Sequence, residues 1–216
     1  MSEPTYFVFF KLEKKGANLD HDVLSISACI GVSSTCLIVD EFICFVKPVS
    51  GSNETGWEQR CLDELWNKPE ILQSKAEILH NIDQHGVPPN EAAALFLSWL
   101  NMHAPNIMRN MVLVTDSPCS DAPALSYLLN RAGFAGVEYA IDNTYRYVID
   151  STSFHRGVGL LLPRVSMWGA EDAARTRLGM PNVTNPYTKV HGKIESVKSV
   201  CWEFLQINRA IEAVAK

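Results

Sequence analysis

The sequence predicts an α/β fold, a mixed sheet flanked by helices. Three observations predict it. Three strand-like runs fill the first fifty residues, a short continuous apolar run, "NMVLVT", follows a long helical stretch, and the chain ends in an amphipathic helix. The order β-β-β-α-β-α-β-α-α places helices over a sheet that mixes antiparallel and parallel pairing. No repeat, low-complexity tract or linker interrupts it, so a single domain over residues 1–216 is expected, and that length can bury a sizeable core.

The strand-like runs are "YFVFF" (6–10), "VLSISACIGV" (23–32) and "CLIVDEFICFVKP" (36–48). Alternation in the second points Leu24, Ile26, Ala28 and Ile30 one way. The turns "KKGANLDHD" and "SST" are short, which predicts an antiparallel meander ended by Pro48. From 57 to about 104 the signals are helical: Pro89 and Asn90 open a helix with Leu95, Phe96 and Trp99 on one face. "NMVLVT" (110–115) has no alternation, as in a strand buried on both faces of a parallel sheet. In "DSPCSDAPALSYLLNRAG" Ser120 suits an N-cap, Pro123 the first turn and Gly133 the helix end. "VEYAI" suggests a further strand, "TYRYVIDSTSFHRG" follows it, and "MWGAEDAARTRLGM" suggests a helix. The last helix, from about 193 to 214, carries Ile194, Val197, Val200, Cys201, Phe204 and Ile211 on its apolar stripe.

Charged residues make up 20% of the chain and the net charge is −5, which argues against a protein held to nucleic acid by bulk charge. Six scattered cysteines without a CxxC pair read as reduced thiols of an intracellular protein. The N-terminus lacks the basic region of a signal peptide, and no apolar stretch reaches membrane-spanning length, so no membrane contact is expected.

One stretch asks for an explanation. In "FVFFKLEKKG" (7–16) a buried strand runs into Lys11 and Glu13, which alternation sets on one face. Charge at the end of a buried strand must be paired or ligated. "FFKLEKKG", "LVTDSPCSDAPAL" and "HGKIESVKSVCWEF", in that order and context, resemble the three motifs of the DEDDh 3′–5′ exonuclease family, which has a ribonuclease H-like fold and includes ribonuclease T and proofreading subunits. "FVKP" at 45–48 and "GVPPNEAAALFLSWL" match its third-strand ending and first long helix. The resemblance spans Tyr6 to about Phe204. It implies that Glu13 and Asp121 hold metal and that His191 is the general base, with Asp116 a weaker candidate than Asp121. Lys11 stands where the family's first Asp belongs, Ser196 replaces its last, and Glu195 sits one residue early.

The chemistry gives those substitutions meaning. By resemblance the cofactor is a pair of Mg²⁺ or Mn²⁺ ions roughly 3.5–4 Å apart, held by carboxylates. The full pattern sets four carboxylates against two divalent ions; here Glu13 and Asp121 remain and Lys11 adds a positive charge. An ammonium about 4 Å from a divalent ion is repelled by roughly 8 kcal/mol at an effective dielectric of about 20. Lys11 is therefore expected to pair with Glu13 and Asp121 in a site emptied of its metals, with no cofactor bound. Three readings stay open: a catalytically silent homologue that keeps a cleft for single-stranded nucleic acid, a residual metal-dependent 3′–5′ exonuclease, and a protein-interaction or structural module. By family layout Lys14, Lys15, Arg146 and Arg156 are candidates for phosphate contacts, with Lys189 and Lys193 nearby. Dimerisation is expected only by analogy.

Overall fold

The computed structural model describes residues 6–49, 56–102, 111–117, 119–134, 148–151, 154, 170–181, 184–187 and 193–214. The described strands are β1 (Tyr6–Lys14), β2 (Val23–Val32), β3 (Leu37–Phe45), β4 (Met111–Thr115) and β5 (Val148–Asp150). They form one five-stranded sheet in the order β3-β2-β1-β4-β5. The described helices are α1 (Gln59–Cys61), which continues as a π-helical turn over Leu62–Trp66, then α2 (Pro69–His85), α3 (Pro89–Met102), α4 (Asp121–Arg131), α5 (Ala170–Arg177) and α6 (Ile194–Val214).

The aromatic run of β1 places it mid-sheet, because its side chains need burial on both faces. Phe7 and Phe9 pack with Val197, Cys201 and Phe204 of α6, whereas Val8, Phe10 and Leu12 join a core with α3 and α4. The meander expected from the short turns is present: β1 pairs antiparallel with β2, and β2 with β3. β4 pairs parallel with β1, Val8 opposite Leu113, as its unbroken apolar run predicts. β2 is buried at every position, while the edge strand β3 leaves Leu37, Val39 and Ile43 exposed. Gly31 lets α6 lie close to β2, since a Cβ there would come within 2.7 Å of Leu205 and 2.8 Å of the Cys201 sulfur.

Three details differ from expectation. β3 stops at Phe45, and Val46 instead bridges Val87 in parallel. Leu95 is exposed; the buried face of α3 is Ala92, Ala93, Phe96 and Trp99, because two alanines let the helix approach the sheet there. The π-helical turn after α1 buries Trp66, whose indole N–H donates to the Lys14 carbonyl at 3.2 Å. The strand suggested at "VEYAI" lies outside the described residues. Gly133, at φ +81°, closes α4 as expected. α6 is held from its outer side by Arg175 of α5, which pairs with Glu203 at 2.9 Å. All six cysteines are free thiols, and Cys119 is exposed. No helix of the described residues is long and apolar enough to cross a membrane.

Candidate functional site

Alternation along β1 generates the site. Beyond Phe7 and Phe9, the next side chains on the α6 face are Lys11 and Glu13, so one face passes from aromatic to charged within four residues. Their cross-strand neighbours continue the change: Ser27 opposes Lys11 and Ser25 opposes Glu13. Glu13 is buried, and among the described residues the buried hydroxyl of Ser25 has no hydrogen-bond partner. One turn into α6, Ser196 faces the same place. Lys11, Thr115, Asp116, Ser196 and Val197 line one narrow cleft, whose free volume of about 10 Å³ is room for about one water. The two positions that depart from the resembled motifs therefore meet in space.

The partner of Lys11 is Asp116. Its ammonium lies 3.5 Å from Asp116 Oδ2, just past the end of β4. This corrects the expectation of a pair with Glu13 and Asp121. The parallel register of β1 with β4 carries Thr115 and Asp116 alongside Lys11 on the cleft side, a contact that sequence distance hides. Burial by itself pulls the ammonium down, but the charges of Asp116, Glu13 and Asp121 outweigh it and hold Lys11 above the usual lysine range.

Asp121 pairs with a different lysine. Lys14 shares the face of Leu12 and reaches the start of α4, where its Nζ lies 3.8 Å from Asp121 Oδ1. The same ammonium donates to the Ser120 carbonyl at 3.1 Å and to the Ser120 hydroxyl, so Ser120, the expected N-cap, spends its side chain on Lys14 instead of on the helix. The other oxygen of Asp121 accepts from the Leu12 N–H and from the Thr115 hydroxyl, each at 3.4 Å. Burial raises the Asp121 carboxyl to about 7, against the pull of Lys14 and with Asp116 adding to the rise. Burial likewise lowers Lys14 despite Asp121.

The pair of Mg²⁺ or Mn²⁺ ions that the resemblance implies does not fit these groups. Asp121 has a donor on each oxygen, Asp116 faces an ammonium, and Ser196 offers a neutral hydroxyl where a hard cation wants a carboxylate. No group of three His, Cys, Asp or Glu among the described residues is placed to hold a metal.

The structure thus brings Lys11, Glu13, Asp116, Asp121 and Ser196 together and adds Lys14 to the cluster. Lys14 and Lys15, expected at phosphates, are both buried; Lys15 lies with its ammonium 5.8 Å from the Trp57 ring. The Lys14 side chain is turned to Ser120 and Asp121, and Lys15 lies beside Trp57, which packs edge-to-face on Trp66. His191, Arg146, Arg156 and Lys189 lie outside the described residues. Lys193, at the entry to α6, pairs with Glu77 of α2 at 3.1 Å. Beside that pair, Ile43, Phe45, Ser74, Asn81 and Glu195 line a cavity of about 230 Å³. Its floor is the Lys11 face, because Ile43 and Phe45 oppose Ser27 and Ser25 in register. A cavity of equal volume between Leu19–Val23 and α4, on the other side of the sheet, contains none of the candidate residues.

No protein-family model matches this chain, and no curated protein matches it. Solved structures do. Cell-death related nuclease 4 superposes with a TM-score of 0.58 at 16% identity, over 97% of this chain and 64% of that one. The nuclease domain of 3′hExo, a DEDDh family member bound to rAMP, gives 0.58 at 13%, over 95% of this chain and 92% of that one. A 3′-exonuclease in 3′-end specific recognition of a histone mRNA stem-loop gives 0.54 at 12%, over 96% of this chain and 65% of that one. This chain therefore spans about two thirds of the length of the first and third. The fold expected from the three motifs is the fold of these nucleases.

Proposed function

We propose that this chain is a catalytically silent relative of the 3′–5′ exonucleases, a single exonuclease-like domain over residues 1–216 that binds nucleic-acid strands without metal. The observation that carries the reading is the convergence of Lys11 and Ser196 on one cleft with Asp116. The substitutions fall where two ions would be held, and a lysine–aspartate pair takes their place. Catalysis by metal-activated water would need Asp121, which is here engaged to Lys14. Support for a strand as ligand comes from the cavity of about 230 Å³ on the same sheet face. It comes also from the fold shared with nucleases solved with rAMP and with an RNA stem-loop. Arg146 and Arg156 remain the proposed phosphate contacts, whereas buried Lys14 and Lys15 drop out of that role.

The test has two arms. Labelled single-stranded RNA and DNA are incubated with Mg²⁺ or Mn²⁺ and scored for 3′ shortening, and binding is measured in chelator. No shortening is expected, together with binding that weakens as salt rises from about 50 to about 200 mM. Cleavage that disappears in Glu13→Ala would establish a residual enzyme instead.

One observation favours a second reading, a protein-interaction module. The β3 edge presents Leu37, Val39 and Ile43 at 59%, 51% and 43% exposure, an apolar row on a strand that has no neighbour on its outer side among the described residues. Absence of strand binding at low salt would favour this reading over the first.

A further inference from the structure

We infer that Lys14 is a second built-in cation, one that seals Asp121 independently of Lys11, so that restoring acids at positions 11 and 196 does not by itself reopen the site to metal. The inference rests on the metal-free reading above and adds a residue that the motifs do not mark.

The geometry separates the two lysines. Lys11 approaches from the α6 face and meets Asp116, whereas Lys14 approaches from the face of Leu12 and meets Asp121 and Ser120 at the start of α4. The Lys11 pair is reached by water, with side chains 20% and 31% exposed; the Lys14 pair is sealed at 7% and 4%. Three acceptors converge on the Lys14 ammonium, namely the Ser120 carbonyl, the Ser120 hydroxyl and Asp121 Oδ1. That arrangement holds a charged ammonium. Leu12 N–H and the Thr115 hydroxyl claim the other carboxylate oxygen. A divalent ion binding at Asp121 would have to take the oxygen that Lys14 faces, within reach of its positive charge. The register shift between Glu13 and Lys14 and the Trp66 bond to the Lys14 carbonyl fix the backbone from which the side chain extends. Replacing Lys11 alters none of these contacts.

The experiment is a calorimetric titration with Mn²⁺ of three proteins: the unaltered chain, Lys11→Asp/Ser196→Asp, and Lys11→Asp/Lys14→Thr/Ser196→Asp. Thermal unfolding in chelator checks that each is folded. The triple variant is expected to bind Mn²⁺ at least tenfold more tightly than the double variant, which fills no site at Asp121. A double variant that binds two Mn²⁺ ions overturns the inference even if the triple variant does not fold. A folded triple variant that binds no better than the double overturns it as well. Mn²⁺ binding or strand cleavage by the unaltered chain would overturn the metal-free reading instead, so the two failures appear in different arms.

Discussion

The two halves of β1 are held by different physics. At the Tyr6 end, Phe7 and Phe9 pack edge-to-face on Phe204 at centroid distances of 5.0 and 5.3 Å. At the Lys14 end the same strand is held by two crossed ion pairs, Lys11 with Asp116 and Lys14 with Asp121. The aromatic half gains stability from area removed from water and needs no exact partner. In the charged half each group is costly to bury and stays only because the opposite charge is present. The first half makes the fold; the second sets what the fold can do. The determinants of the fold and those of the site are therefore separable within one strand.

Removing the aromatic anchor is expected to have the largest effect. Phe204→Ala, which also loses contact with Phe154 at 4.4 Å, should destabilise by about 4 kcal/mol in urea unfolding. A loss below about 1 kcal/mol would mean that this half is not the anchor. Next comes Asp121→Ala, which strands the Lys14 ammonium and should cost about 3 kcal/mol. The combined Lys14→Met/Asp121→Leu variant should recover most of that loss, because no buried charge is left behind. Failure to recover would show that the pair contributes more than compensation for its own burial.

The Asp121 carboxyl supplies a pH test of the same half. In the folded chain it is raised from 3.8 to about 7, chiefly by burial. Between those values the folded state keeps a proton that the unfolded state has released, so this group's contribution to stability falls as pH rises. Asp121→Asn removes the titration. The unaltered protein should therefore lose stability relative to the Asn variant on going from about pH 4 to about pH 7, and change little relative to it above that. Parallel Tm curves for the two proteins would contradict the raised value.

How much of this was legible in the sequence follows from the same contrast. The apolar half was readable because its determinants are local: periodicity gave β2 and α6, short apolar runs gave β1 and β4, and Gly133 gave the end of α4. The positions of Lys11 and Ser196 were readable through motif order, and they do meet. Their partners were not, because pairing depends on register. Lys11 finds Asp116 only once β4 lies parallel to β1, and Lys14 finds Asp121 only once α4 starts over the Leu12 face. Strand alternation already set Lys14 on the face opposite Lys11, a signal outweighed by the family layout, which assigned it to phosphate. The Trp57 ring beside Lys15 and the Trp66 bond to the Lys14 carbonyl come from far downstream, and no local pattern connects them.

The smallest expected effect, and the finest test of the contrast, concerns Lys11 itself. Both members of its pair with Asp116 are partly exposed, so the lost attraction is partly screened and a stranded carboxylate can be hydrated. Lys11→Met should therefore cost about 1 kcal/mol or less, and added salt should shrink even that. A double-mutant cycle with Asp116→Asn isolates the pair, and its coupling should likewise be about 1 kcal/mol or less. By comparison, the Lys14–Asp121 cycle should give a coupling of about 2–3 kcal/mol, near the upper end for contacting residues. Equal couplings would mean that the cleft is as dry at Lys11 as at Lys14. The division of the site into an open, exchangeable pair and a sealed one would then fail, and with it the reason for expecting that an acid at position 11 alone leaves Asp121 closed.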